Sequence, residues 1–148
     1  MEGATYSATG TPGSGVELNT SVRVGSPVQL ATSFAPGTVI SSRQPLTVKW
    51  TGGEPGTLVK LTLTSGGQSA RSTYTYAEAP AGSLTISPVC TGSPVACSFR
   101  VPLSSDAQVT VGVMPAPDRV TMVTVPGVTG PVRLNWQYSY GFSGIRLQ

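Results

Sequence analysis

The sequence predicts an all-β protein, a β-sandwich of about nine or ten antiparallel strands with no substantial helix. Apolar residues fall in short alternating runs such as Leu46-x-Val48-x-Trp50, the period-2 pattern of a strand with one buried face. Clusters of Gly and Pro separate these runs at intervals of roughly 8–12 residues. About a quarter of the residues are Ser or Thr, and no window of about 11 residues shows the 3.6-residue period of a helix. A β-barrel is the second choice.

The first half of the chain supplies the clearest strands. Residues 46–50 alternate strictly, and residues 57–64 repeat the pattern after the Gly- and Pro-rich turn at 51–56. Three shorter apolar segments precede them, each bounded by Gly or Pro, at residues 16–24, 28–30 and 39–40.

The second half continues in the same way and ends in the longest predicted strand, residues 132–140. In the segment 99–103, Pro102 indicates an edge strand or a bulge, because proline cannot donate a hydrogen bond to a neighbouring strand. The remaining predicted strands lie at residues 72–77, 84–86, 109–113 and 120–125.

The chain divides into a leader and one domain. Residues 1–15 are mainly Gly, Ser, Thr and Pro without a hydrophobic period, which indicates a flexible leader. Strand signals begin at residue 16, so residues 16–148 are predicted to form a single sandwich. A chain of this length buries roughly 70% of its unfolded surface, which is enough to fold without a metal.

The composition argues against an enzyme. The chain has no His and only six carboxylates, so neither a Ser–His nor a Cys–His pair can form. The acids stand mostly at turns rather than in the pair that a glycosidase needs or the acid-rich loop that calcium needs. We expect no catalytic residue, no cofactor and no metal ion.

Charge and hydropathy exclude two further classes. The seven Arg and two Lys are scattered, with no two adjacent, whereas nucleic-acid binding needs clustered cations. No apolar run of about 18 residues occurs, so we expect no membrane span. Charged residues make up only 10% of the chain, against an average near 25%. Surfaces with so few charges are common on secreted and cell-surface β proteins.

Cys90 and Cys97 bracket six residues that include Gly92 and Pro94, so the chain can fold back and bring the two sulfurs together. Two cysteines with none left over predict a disulfide in an exported protein, and free thiols are the alternative. Residues 1–4 have no signal-peptide character. An extracellular or cell-surface location therefore requires that a signal peptide was removed or lies outside this chain.

Two segments resemble modules of secreted bacterial Ig-like proteins. Residues 45–56 form a strand that ends in Trp-Thr-Gly-Gly-Glu-Pro, and residues 97–102 read Cys-Ser-Phe-Arg-Val-Pro. The likeness covers roughly residues 40–115, and the leader and residues 132–140 lie outside it. The resemblance implies an Ig-like β-sandwich that serves as an extracellular structural or adhesive module without catalytic residues.

Aromatic residues supply the candidate binding surfaces. Trp136, Tyr138 and Tyr140 share one face of the last predicted strand. The row either continues the core, which the neighbouring apolar residues favour, or forms a surface for a partner or a glycan. Tyr74 and Tyr76 also share a face, and their polar flanks leave a core position and a partly exposed patch equally open.

The sequence thus predicts a non-catalytic structural or adhesive module whose partners are other proteins or further copies of itself. One form is a filament or surface subunit whose N-terminal segment, with Val16, Leu18, Val22 and Val24, adds as a strand to a neighbouring copy. The alternative for this segment is the first strand of its own sandwich. The alternative function is a carbohydrate-binding module with an aromatic strand face.

Overall fold

The computed structural model describes residues 5–10, 18–66, 70–125 and 128–148. Two single-turn 3-10 helices, Ala79–Ala81 and Pro117–Arg119, join strands of this part of the chain. The strands are β1 (Thr5–Gly10), β2 (Leu18–Arg23), β3 (Val28–Leu30), β4 (Val39–Ile40), β5 (Leu46–Gly52), β6 (Thr57–Ser65), β7 (Arg71–Glu78), β8 (Ser83–Ile86), β9 (Val89–Thr91), β10 (Ala96–Ser98), β11 (Ser104–Pro115), β12 (Thr121–Val123), β13 (Val132–Leu134) and β14 (Tyr138–Leu147).

Two larger sheets form a sandwich, which confirms the predicted fold class. One sheet has the order β4-β14-β11-β6-β7 and the other has the order β3-β5-β8. Three ribbons of two strands each accompany them: β1–β2, β9–β10 and β12–β13. The sequence predicts fewer strands because it misses β1, β9 and β10 and merges β13 with the start of β14. The pairing of β4 with β14 is parallel, unlike the antiparallel pairing predicted throughout.

One hydrophobic core lies between the two larger sheets. Val59, Leu61 and Leu63 of β6 are fully buried on one side of it, as the period of two predicts. Val48 of β5 is fully buried on the other side. The core also contains Val28, Ile40, Leu46, Trp50, Ala79, Leu84, Ile86, Phe99, Val101, Ala107, Val109, Val111, Val113, Ile145 and Leu147.

Trp50 closes the core at the end of β5. Its side chain is buried, and the indole Nε1–H donates a hydrogen bond of 2.6 Å to the backbone oxygen of Ala79. Ala79 begins the 3-10 turn that carries the chain from β7 in one sheet to β8 in the other. The indole therefore fixes this crossover against the core as well as filling space.

The predicted strand at residues 132–140 is wrong in both its continuity and its end. Residues 135–137 lie outside any strand, and β14 runs on to Leu147. The pairing of β14 with β11 shifts between Phe142 and Ile145. Gly144, with a φ of +67°, lies at this shift and permits a bulge that few other residues could adopt.

Two other predicted strands differ from the structure. Residues 99–103 form no strand, although Phe99 and Val101 are buried. The N–H of Phe99 bonds instead to the carbonyl of Ser42 in a turn, and Pro102 lies in irregular chain. Within the described residues 18–24 of the predicted segment 16–24, Leu18–Arg23 form β2.

Part of the predicted leader forms a strand. β1 pairs along its whole length with β2, and the register runs from Thr5 opposite Arg23 to Gly10 opposite Leu18. Whether the leader is flexible stays a prediction. In the described part of the chain, no helix is long and apolar enough to cross a membrane.

The disulfide between Cys90 and Cys97 is present. The two residues lie opposite each other in the β9–β10 ribbon, so the bond joins paired strands across a short turn. Cys90 is exposed and Cys97 is half-buried. The disulfide therefore braces a surface ribbon and lies apart from the core.

Candidate functional site

Tyr138 and Tyr140 of β14 face the core, and Trp136 lies just before that strand. Tyr138 lies opposite Val113 and Tyr140 lies opposite Val111 in the pairing with β11, so all four share the inner side of the sheet. Trp136, Tyr138 and Tyr140 are half-buried and pack against the core. These positions favour the core alternative for Tyr138 and Tyr140, whereas Trp136 also lines a cleft at the surface.

The two phenols of β14 bind a single residue of the opposite sheet. The N–H of Val28 donates to the Tyr138 hydroxyl at 2.9 Å, and the Tyr140 hydroxyl donates to the Val28 carbonyl at 2.6 Å. Val28 is fully buried and lies in β3, which is an edge of the three-stranded sheet. We call these three residues the tyrosine clamp. It satisfies backbone groups of an edge strand and joins the two sheets.

The clamp changes the acidity of one of its phenols. Burial raises the pKa of Tyr138 above its ordinary value, because the phenolate would lose hydration. The hydrogen bond from Val28 opposes this rise, and the neighbouring Tyr140 adds to it. The neutral phenol is therefore the form that the folded protein favours.

Tyr74 and Tyr76 form the exposed aromatic surface of the described residues. They project from the outer face of β7, which is an edge of the five-stranded sheet, and are 56% and 47% exposed. Their ring centroids lie 5.5 Å apart with an interplanar angle of 74°. Lys60 of β6 lies opposite Tyr76, and its Nζ is 4.6 Å from the Tyr74 centroid and 5.7 Å from that of Tyr76. We call these three residues the tyrosine face.

The tyrosine face combines three kinds of contact in one place. Its rings offer apolar area and its hydroxyls offer hydrogen bonds. The Lys60 ammonium holds both rings through cation–π attraction while remaining available to an acidic group. The spacing of Tyr74 and Tyr76 predicted a shared face. Lys60 was missed, because only the register between β6 and β7 brings it beside them.

The other sequence-predicted residues do not join the tyrosine face. Val16 lies outside the described residues, Leu18 and Val22 belong to β2, and Val24 comes just after that strand. Within the described ranges, no three His, Cys, Asp or Glu residues come close enough together to hold a metal ion.

Comparisons of the chain with protein-family models, with curated proteins and with solved structures give no match.

Proposed function

We propose that this chain is a non-catalytic, extracellular structural or adhesive module of the Ig-like kind, which contacts proteins or further copies of itself through the tyrosine face. The observation that carries the proposal is the exposure of Tyr74 and Tyr76 beside Lys60 on an edge strand. Tyrosine is enriched among the residues that dominate binding energy at protein interfaces. It brings a large contact area with little conformational entropy to lose.

The edge position of β7 supports a specific mode of contact. In the described part of the chain, β7 has a neighbour in its sheet on one side only, namely β6. A strand with one open side accepts another strand through main-chain hydrogen bonds, while side-chain contacts give specificity. A strand that arrives at β7 meets the tyrosine face on the outer side of the sheet.

The N-terminal ribbon is the partner that the chain itself offers. β1 and β2 pair with each other and, among the described residues, with no strand of the two larger sheets. Each has six residues and β7 has eight, so the lengths are compatible. Self-assembly through addition of this ribbon to β7 of a second copy is the specific form of the proposal.

An extracellular location is supported by chemistry at the surface. The disulfide in the exposed β9–β10 ribbon persists in oxidising compartments and is lost in reducing ones. Only 10% of the residues are charged, and hydroxyl side chains take over much of the hydration of the surface.

A glycan platform made of Trp136, Tyr138 and Tyr140 receives less support. Such a platform needs several rings exposed side by side, whereas the hydroxyls of Tyr138 and Tyr140 bind Val28 inside the sandwich. We therefore do not propose the row as a platform.

The test is the mass of the chain in solution, measured by light scattering after size exclusion without reductant at several concentrations. The wild type should exceed the 15.2 kDa of a monomer as concentration rises. A Tyr74→Ser/Tyr76→Ser variant and a variant without residues 1–24 should both remain monomeric. The matched control is Thr47→Ala/Thr85→Ala, which removes an exposed pair of bonded hydroxyls on the other sheet and should assemble normally.

Each outcome decides one part of the proposal. A wild type that stays monomeric at every concentration eliminates self-assembly and leaves contacts with other proteins. Assembly that survives the loss of both tyrosines eliminates the tyrosine face as the contact. If the shortened chain unfolds, as circular dichroism would reveal, the ribbon belongs to the fold of its own copy and strand addition is rejected.

A further inference from the structure

A cleft opens at the end of the sandwich where β6 and β14 begin and β11 ends. Its volume is about 370 Å³, near the lower limit of the range of about 300–1,000 Å³ for small-molecule sites. Charged and aromatic side chains line it together, namely Arg23, Glu54, Arg119 and Trp136. We call it the end cleft. It shares no residue with the tyrosine face, so ligand binding there does not depend on contacts of that face, although Arg23 is also the last residue of the β1–β2 ribbon.

Two glycines position the charged groups of the end cleft. A Cβ atom at Gly25 would lie 2.7 Å from the Glu54 Oε1, and one at Gly56 would lie 2.9 Å from the Arg119 Cγ. The Glu54 and Arg119 side chains therefore pack directly against the backbone of these two glycines. Any other residue at Gly25 or Gly56 would displace the charged group beside it.

The charges of the end cleft favour an anionic ligand that also carries hydroxyls. Arg23 Nη2 lies 3.5 Å from Glu54 Oε2, so one guanidinium is matched by one carboxylate. Arg119 forms an ion pair with Asp118, but the Nε to Oδ2 distance of 3.8 Å is too long for a hydrogen bond and both side chains are mostly exposed, so the pair is weak. The guanidinium of Arg119 can therefore bind a ligand carboxylate, and the Glu54 carboxylate can accept hydrogen bonds from hydroxyls.

Trp136 gives the end cleft a fixed aromatic wall. Its indole stacks on Tyr138 with a centroid distance of 6.0 Å and an interplanar angle of 15°. Tyr138 is itself held by the tyrosine clamp, so the wall is positioned before any ligand arrives. An indole ring packs well against a flat ligand surface made of C–H groups.

We propose that the end cleft binds a uronic acid residue of an anionic polysaccharide. A pyranose ring with a carboxylate is the simplest ligand that combines a flat C–H surface, an anionic group and hydroxyls. Its C–H face covers the Trp136 indole, its carboxylate binds Arg119, and its hydroxyls donate to Glu54. The open side of the end cleft leaves room for the polysaccharide chain to continue into solvent.

The test is calorimetric and fluorescence titration of the full chain with a short oligogalacturonate. Trp136 lines the end cleft and Trp50 is 3% exposed, so a change in emission on binding should disappear in Trp136→Phe. Binding should saturate, weaken with added salt and exceed that of a neutral glucose oligomer or of inorganic phosphate by at least about tenfold.

Single substitutions test which side chains of the end cleft bind the ligand. Arg119→Gln should weaken binding about tenfold or more, and Arg119→Lys should restore part of the loss because it keeps the charge without the planar fork. Glu54→Gln should weaken binding to a smaller extent. Arg43→Gln is the matched control, since this exposed arginine lies in a turn outside the end cleft and its loss should leave binding unchanged. Circular dichroism of each variant verifies the fold.

Several results would overturn the proposal. One is the lack of saturable heat or emission change with the oligogalacturonate. Equal affinity for phosphate would reduce the end cleft to an anion site, and equal affinity for an acidic peptide would remove the preference for sugar. Unchanged binding in a folded Arg119→Gln protein would place the ligand elsewhere.

Discussion

Replacing Tyr138 by phenylalanine should destabilise the fold by removing one hydroxyl from the tyrosine clamp. The change keeps the aromatic ring that stacks on Trp136, so it opens no cavity. It removes the acceptor that lies 2.9 Å from the N–H of Val28, a residue with no exposed surface. The perturbation is thus confined to one buried donor.

The size of the effect depends on that burial. A buried donor left without a partner costs about 1–3 kcal/mol, out of a total stability of about 5–15 kcal/mol for a domain. With an m-value of about 2 kcal/mol/M in urea, a loss of about 2 kcal/mol lowers the unfolding midpoint by about 1 M. Tyr140→Phe should cost no more, because a carbonyl that lacks one partner is tolerated better than an N–H.

The assay is urea unfolding followed by circular dichroism, with the m-value checked for constancy. Tyr74→Phe is the control, because it removes a hydroxyl from a ring that is 56% exposed and should change stability by less than about 0.5 kcal/mol. If Tyr138→Phe shifts the midpoint no more than Tyr74→Phe does, another group satisfies the Val28 N–H. The clamp would then contribute nothing to stability.

Three further predictions concern stability. Gly53→Ala should cost about 2–5 kcal/mol in urea unfolding, because φ is +82° and the new Cβ would overlap that of Ala79. The contribution of Tyr138 to the free energy of unfolding should be fully present below about pH 10 and should be lost as pH rises further. The reason is that the unfolded chain loses the Tyr138 proton before the folded protein does. Cys90→Ala/Cys97→Ala should lower the unfolding free energy by at most about 2.5 kcal/mol, the chain-entropy value for so short a loop.

Each of these predictions has a matched control. Gly37→Ala has a similar φ of +85° but open space around the Cβ, so it isolates the backbone cost, and equal losses at both glycines would refute the steric argument. The alkaline loss of stability should shrink in Tyr138→Phe, and an unchanged pH profile would assign it to other groups. Reductant should destabilise the wild type as much as the double cysteine substitution does, and the double variant should not respond to reductant.

The sequence predicted best those strands whose faces differ most in polarity. It placed strands at residues 46–50 and 57–64, and the structure has them at Leu46–Gly52 and Thr57–Ser65. The first alternates strictly and the second alternates from Val59 onward, and Gly and Pro bound them. Local pattern suffices there because the residues that face the core are also the apolar ones.

Prediction failed where long-range pairing overrides local preference. The second half of β14 contains Gly141 and Gly144, which disfavour strands when taken alone, yet β11 and β4 pair with it and hold it extended. Phe99 and Val101 show the converse, since both are buried without strand pairing. No local pattern distinguishes these cases, because the deciding contacts come from distant parts of the chain.

The candidate surfaces also differ in how far local sequence pattern predicts them. Alternation placed Tyr74 and Tyr76 together, but their exposure depends on β7 being an edge strand, which is a property of sheet order. The end cleft could not be predicted at all. Its members come from four separate segments of the chain, and only the folded arrangement brings Arg23, Arg119 and Trp136 to one place.

The tyrosine clamp also determines when the sandwich can close. Val28 and Tyr138 are 110 residues apart in sequence, and contacts this distant form late because loop closure must precede them. During synthesis or export from the N-terminus, β6 and β11 wait for β14 to emerge and complete the sheet. Until then β11 has an open edge that can pair with another chain. The ten residues of β14 close this edge of β11, so a chain that lacks them should aggregate more readily than the complete one.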